Sequence, residues 1–123
     1  MFLDLAHTNM AVYKKSYTLV LECYRMTKEL PESEKFNLIS QIRRAATSVR
    51  LNIAEGCSRK SEVERKRFYE VARGSVIEID AALDLVVGLE YLGKGKLVNL
   101  GKEIVSAFKM LSGLIDDKKN IHR

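Results

Sequence analysis

The sequence predicts an all-α fold: an antiparallel up-down bundle of four helices, forming a single domain over residues 1–123. Two observations carry this prediction. One proline and seven glycines in 123 residues are too few for a turn-rich β protein. Apolar residues also recur at spacings of three, four and seven in four segments separated by short connections. Short connections place successive helices side by side in opposite directions.

The composition indicates a soluble, cytoplasmic protein. Of its 123 residues, 46% are hydrophobic and 30% are charged, as in an ordinary globular domain. No apolar run approaches membrane-spanning length. The start Met-Phe-Leu-Asp lacks the basic region and apolar core of a secretion signal. We therefore expect no contact with a membrane.

The first helix is predicted over residues 11–30 and the second over residues 34–56. Pro31 separates them, because the residue before a proline avoids the α conformation. Ser33 is the expected N-cap of the second helix, and Gly56 the expected left-handed residue that ends it. Tyrosines form a second stripe beside the core stripe of the first helix: Tyr13, Tyr17 and Tyr24. The core stripe of the second helix is Phe36, Ile39, Ile42, Ala46, Val49 and Ile53.

The third helix is predicted over residues 62–92 and the fourth over residues 97–117. Ser61 and Glu64 have the spacing of a capping box at the start of the third helix. Gly74 lies in its middle, where we expect a neighbouring backbone to pack closely. Phe68 and Phe108 fall on the predicted core stripes of these two helices. Several apolar residues lie outside all the core stripes and predict oligomerisation: Leu51, Val71, Val76, Ile77, Val87 and Val105.

The net charge of +5 is concentrated in one segment. Residues 43–73 carry nine basic and four acidic side chains, whereas basic and acidic residues balance over the rest of the chain. Arginine prevails in the segment, and its planar guanidinium suits phosphates and carboxylates. The predicted nucleic-acid-binding residues are Arg43, Arg44, Arg50, Arg59, Lys60, Lys66, Arg67 and Arg73. The alternative is a set of solvated helix faces with local pairs such as Glu55–Arg59.

The sequence offers no catalytic or metal-binding pattern. There is no Glu-x-x-His pair for a di-iron site, and His7 and His122 lie near the chain ends. Cys23 and Cys57 are too few for a structural zinc site, and neither has a histidine nearby in sequence. No glycine-rich phosphate loop is present. We therefore expect neither an enzyme nor a cofactor.

Three stretches carry a family resemblance: Ser40-Gln41-Ile42-Arg43-Arg44-Ala45-Ala46, Asn52-Ile53-Ala54-Glu55-Gly56 and Ala72-Arg73-Gly74-Ser75. Together with Ser58-Arg59 and Arg67-Phe68 they resemble the bacterial 23S rRNA intervening-sequence proteins, also labelled four helix bundle or ribosomal proteins. The resemblance implies a four-helix bundle that assembles as a ring-like homo-oligomer, most often a pentamer. Related accessory proteins of diversity-generating retroelements bind nucleic acid and a reverse transcriptase through a basic surface.

The family residues that carry over are Arg43, Arg44, Asn52, Glu55, Arg59, Arg67 and Arg73, with Gly56 and Gly74 in the same motifs. One position departs from the pattern: the family commonly has proline after Ser-Ile/Val, and here Ser48-Val49 is followed by Arg50. The second helix should therefore run unkinked and carry one more charge.

Two hypotheses about function follow. In the first, the protein binds RNA or DNA through the basic segment, with RNA favoured by the family. Arg43 and Arg50 share one helix face, as do Lys66 and Arg73, and these charges could converge between neighbouring helices. In the second, the protein is an interaction adaptor whose arginines pair with carboxylates of a partner protein or between subunits.

Overall fold

The computed structural model describes residues 1–116, and these form four α-helices and no strand. Consecutive helices pack against each other, α2 and α3 most extensively, and α4 returns to contact α1. This is the predicted four-helix bundle. The helices are α1 (Ala11–Thr27), α2 (Ser40–Cys57), α3 (Glu62–Gly88) and α4 (Val98–Ile115). Short 3-10 turns occupy Ala6–Asn9, Glu32–Glu34 and Lys94–Leu97, and a π-helical turn occupies Lys35–Ile39.

None of the helices within residues 1–116 combines the length and the apolar character that crossing a membrane requires.

The core lies between the four helices and is built mainly of aliphatic side chains. Among the largest fully buried side chains are Leu19, Ile42, Ile53, Ile79 and Leu111. Of the six apolar residues outside the predicted stripes, Val76 is buried, and the other five are exposed: Leu51, Val71, Ile77, Val87 and Val105. Phe108, predicted for the core, is 38% exposed. The surface of the single chain therefore exposes these five apolar residues and part of Phe108.

The connection from α1 to α2 differs from the prediction. Ser33 is not the N-cap of α2, since it lies within the turn Glu32–Glu34. The carboxylate of Glu34 instead accepts a hydrogen bond from the backbone N–H of Leu38 at 3.4 Å. A π-helical turn follows at Lys35–Ile39. Leu38, four residues before the core residue Ile42 and therefore on the same face, is buried, whereas Phe36, predicted for the core stripe, is 88% exposed.

Glu34 also links this connection to the turn between α3 and α4. The Tyr91 hydroxyl donates a hydrogen bond of 2.7 Å to the Glu34 carboxylate. This bond favours the charged carboxylate and the protonated phenol. It therefore lowers the pKa of Glu34 and raises the pKa of Tyr91 relative to their usual values.

Neither motif glycine has the role predicted for it. Gly56 does not end α2 in a left-handed conformation, because the helix continues to Cys57 and no glycine within residues 1–116 has a positive φ. Instead, a Cβ at Gly56 would lie 2.9 Å from both Phe68 Cβ and Tyr69 Cε1, so this is the glycine that permits close packing. A Cβ at Gly74 would meet nothing within 4 Å. The prediction of close packing at Gly74 is therefore wrong.

At the start of α3, the Ser61 hydroxyl accepts a hydrogen bond of 3.1 Å from the backbone N–H of Glu64. Ser61 is therefore the N-cap, as predicted. Arg65, one turn into the helix, donates from Nη1 to the carbonyl oxygens of Arg59 at 3.0 Å and Lys60 at 2.8 Å. It holds the connection between α2 and α3 against the helix that follows.

Candidate nucleic-acid interface

Arg43 and Arg50 lie two turns apart on α2, and both extend across α1. Arg43 donates from Nε to the Thr27 hydroxyl at 2.8 Å. Arg50 donates from Nη1 to the Tyr13 carbonyl oxygen at 2.8 Å and to the Ser16 hydroxyl at 3.1 Å. Both guanidinium groups are therefore held in place by polar groups of α1.

Tyrosine rings of α1 lie against the same two guanidinium groups. The Arg43 Cζ atom is 4.6 Å from the centre of the Tyr24 ring. The Arg50 Cζ atom is 3.7 Å from the centre of the Tyr13 ring and 5.4 Å from that of Tyr17. These are cation–π distances. Tyr17 is 56% exposed and Tyr24 is 38% exposed, so part of each ring faces solvent.

We call these five residues, Tyr13, Tyr17, Tyr24, Arg43 and Arg50, the tyrosine–arginine face. Every hydrogen-bond partner of its two arginines is a neutral hydroxyl or carbonyl group. Within residues 1–116, no carboxylate forms an ion pair with either of them. The face therefore keeps two fixed positive charges next to exposed aromatic rings.

The other predicted binding residues, which lie on α2, on α3 and in the connection between them, fall into two groups. In the first group, the charge is paired with a carboxylate. Arg59 is bonded to Glu55 and stacks on Phe68, and Lys66 lies 3.5 Å from Glu62. Arg73 crosses to α4, where it donates to the Ser112 hydroxyl at 3.1 Å and lies 3.7 Å from Asp116.

The second group consists of Arg44, Lys60 and Arg67, whose side chains have no hydrogen-bond or ion-pair partner within the described chain. All three are exposed. Arg44 borders the tyrosine–arginine face, in a shallow depression shared with Tyr24 and Arg43. Lys60 and Arg67 lie outside the face.

The expected convergence of charges from α2 and α3 does not occur. Arg43 and Arg50 point to α1, whereas Arg73 points to α4. Helical spacing identified which arginines share a side of a helix, but it could not show which neighbouring helix each side meets. Tyr17 and Tyr24 are seven residues apart, as are Arg43 and Arg50. This equal spacing is the sequence feature from which contact between the tyrosines and the arginines could have been predicted.

The motif residue Asn52 has a structural role. The Asn52 amide donates to the Ser48 carbonyl oxygen at 2.8 Å and to its hydroxyl at 3.0 Å. The Ser48 hydroxyl in turn bonds the Ser75 hydroxyl at 2.9 Å, which links α2 to α3. Asn52 therefore orients a contact between the two helices.

Groups suited to catalysis or metal binding are sparse in the described residues. No three His, Cys, Asp or Glu side chains among residues 1–116 are placed to hold a metal ion. Burial raises the pKa of the Cys23 thiol to about 12, so this cysteine is a protonated core residue at neutral pH. Cys57 is half-buried. His122 lies outside the described residues.

Comparisons with known proteins agree with the fold and the sequence motifs. The chain is similar to a crystal structure from Bacteroides thetaiotaomicron, described as a protein of unknown function from the S23 ribosomal protein family. The TM-score is 0.79 at 23% identity, and the match covers 86% of this chain and 99% of that one. No curated protein matches. The model of the 23S rRNA-intervening sequence protein family matches residues 8–113. The chain therefore belongs to the 23S rRNA-intervening sequence protein family.

Proposed function

We propose that this protein binds RNA without catalysing a reaction and that the tyrosine–arginine face is its binding surface. The observation that carries the proposal is the pair of guanidinium groups stacked on tyrosine rings with no carboxylate beside them. The family description, which refers to 23S rRNA, favours RNA over DNA as the ligand.

The face offers both kinds of contact that a single-stranded nucleic acid requires. Guanidinium groups bind phosphate oxygens and release counterions, which gives affinity without sequence preference. The exposed parts of Tyr17 and Tyr24 offer aromatic surfaces on which bases can stack. Because Arg43 and Arg50 are already held by α1, little side-chain entropy is lost when RNA binds.

Two measurements test the proposal: the dependence of RNA affinity on salt concentration, and the effect of replacing an aromatic residue of the face with alanine. With roughly three phosphate contacts, affinity for a short single-stranded RNA should fall about twentyfold between 50 and 200 mM salt. Tyr17→Ala should weaken binding by about tenfold at constant salt, because one stacking surface is lost. Fluorescence anisotropy measures both effects.

Phe36→Ala is the matched control, since Phe36 is an exposed aromatic residue outside the face. It should bind RNA as the unmodified protein does. Affinity that does not respond to salt, or equal losses in Tyr17→Ala and Phe36→Ala, would contradict the proposal.

We further propose that the protein self-associates through the groove between α3 and α4, with a second copy of the chain as the occupant. Ile77 on α3 and Val98, Val105 and Phe108 on α4 are between 38% and 53% exposed along this groove. Such a continuous apolar strip is typical of an interface.

The charges beside the groove favour a second copy over an unrelated partner. The α3 rim carries Asp80 and Asp84, and the α4 rim carries Lys102 and Lys109. None of these four forms an ion pair within residues 1–116. The acidic rim of one copy therefore complements the lysine rim of another. A head-to-tail contact of this kind generates a ring where the rotation between neighbouring copies closes, and the family resemblance suggests five copies.

A charge swap tests this self-association. Native mass spectrometry should show that Asp80→Lys combined with Asp84→Lys lowers the subunit number, because like charges then face each other. Adding Lys102→Asp and Lys109→Asp to the same chain should restore it. An unchanged subunit number in the first variant would contradict the proposed interface.

The competing proposal is an adaptor that uses its arginines for salt bridges with a protein partner. Arg59 and Arg73 already have carboxylates within their own chain, at Glu55 and Asp116. Only Arg44 and Arg67 remain as exposed arginines without any partner among residues 1–116. The adaptor proposal therefore has only these two arginines available for salt bridges to a protein partner, and we favour RNA binding.

A further inference from the structure

The tyrosine–arginine face is closed at one end by the N-terminal segment. The turn Ala6–Asn9 contacts both α1 and α2 and so bridges the two helices that carry the face. The His7 ring packs edge-on against the Tyr13 ring, with 4.7 Å between ring centres. A strand that follows the face from Tyr24 towards Tyr13 therefore meets protein at this point and cannot continue along the same line.

A cavity of about 280 Å³ lies where the face meets this turn. His7 and Thr8 of the N-terminal segment line it together with Lys14, Tyr17 and Arg50. Tyr17 is 56% exposed, so part of its ring faces solvent. It thus combines two cationic side chains with an aromatic ring.

The cationic groups in the cavity have N–H donors that are not used in hydrogen bonds within residues 1–116. Arg50 makes both of its hydrogen bonds through Nη1, to Tyr13 and Ser16. Its Nε and Nη2 donors have no acceptor among the described residues. Lys14 is exposed and has no carboxylate partner in residues 1–116. An incoming anion therefore finds an oriented guanidinium and a mobile ammonium group together.

We infer that this cavity holds the terminal phosphate of an RNA strand, with the adjacent base on Tyr17. This inference rests on the proposed RNA binding. It states which part of the RNA strand, its phosphorylated end, binds at the closed end of the tyrosine–arginine face. A terminal phosphate monoester carries a charge of about −1.5 to −2 at neutral pH, whereas an internal diester carries one negative charge. Two cationic groups at a closed end therefore fit a monoester better than a diester.

Terminal phosphates occur at the 5′ and at the 3′ end, so the test uses both. One short single-stranded RNA is prepared with a 5′ phosphate, with a 3′ phosphate, or with hydroxyl groups at both ends. The form whose end enters the cavity should bind about tenfold more tightly than the hydroxyl form, the effect of one additional charge-assisted hydrogen bond.

Two lysine variants test whether the preference comes from the cavity. In Lys14→Ala, the preference for the phosphorylated RNA over the RNA with hydroxyl ends should fall from about tenfold to about twofold. Lys28→Ala removes the same charge at the opposite end of α1, where the side chain is also exposed, and should leave this preference unchanged. Circular dichroism of each variant confirms that the helices are retained.

The outcomes separate this inference from the proposed function. Equal affinities for all three RNAs would overturn the terminal-phosphate site, while salt-dependent binding of the hydroxyl form would still support RNA binding. Failure of all three RNAs to bind would overturn both. Equal reductions of the preference in Lys14→Ala and Lys28→Ala would overturn the assignment to this cavity.

Discussion

Replacing Arg50 with alanine should weaken RNA binding by about tenfold or more. The change removes a hydrogen-bond donor to an RNA phosphate, and it removes the guanidinium group that contacts the rings of Tyr13 and Tyr17. The same change should lower the free energy of unfolding by about 2 kcal/mol, since the Tyr13 carbonyl and the Ser16 hydroxyl lose their donor. Anisotropy with a short RNA measures the first effect, and urea unfolding followed by circular dichroism measures the second.

Two further variants separate charge from geometry. Arg50→Lys keeps the charge but not the planar guanidinium, so it should bind RNA with intermediate affinity. Arg67→Ala removes an exposed arginine of α3 that has no partner within residues 1–116. It should change the free energy of unfolding by less than about 0.5 kcal/mol and affect RNA binding little. If Arg67→Ala weakens binding as much as Arg50→Ala does, net charge and not the face determines affinity.

Replacing Gly56 with alanine should destabilise the bundle by about 2 kcal/mol. The added methyl group would lie 2.9 Å from Phe68 Cβ and Tyr69 Cε1, and the Arg65 carbonyl oxygen is 3.2 Å away. Tyr69 is buried, and the backbone of α3 cannot give way without moving the helix. The contact between α2 and α3, the most extensive in the bundle, would have to open.

Gly74→Ala provides the matched control for Gly56→Ala. Gly74 is exposed in the middle of α3, and a Cβ there meets nothing within 4 Å. Alanine should therefore stabilise the protein by up to about 1 kcal/mol through helix propensity. Thermal unfolding of both variants decides the point: a loss of stability in Gly74→Ala equal to that in Gly56→Ala would contradict the packing described for the two glycines.

Apolar periodicity was sufficient to predict the four helices, because each helix buries one stripe in a shared core. It was applied wrongly at the start of α2, where Leu38, four residues before Ile42, is buried and the predicted core residue Phe36, six residues before Ile42, is exposed. Apolar periodicity also did not predict the π-helical turn at Lys35–Ile39. Likewise, the sequence predicted a helix end at Gly56 and close packing at Gly74, and only the packing of α3 against α2 shows that the close contact lies at Gly56.

The charge pattern located the arginines but not their partners. Arg50 stands where the family pattern commonly has proline, and α2 runs through it as a regular helix, as expected from the missing proline. The partners of Arg50 are Tyr13 and Ser16, more than thirty residues away in the sequence. No local pattern encodes such a contact, because it depends on how the bundle brings α1 beside α2.

RNA binding to the tyrosine–arginine face is tested most directly by an NMR titration of the full chain with a short single-stranded RNA. The titration follows the backbone amide and arginine side-chain resonances. We expect shifts that concentrate in residues 13–24 and 43–50, including the Arg43 and Arg50 side chains. Shifts that concentrate instead around Arg67 and Arg73 on α3, or no shifts at all, would contradict it.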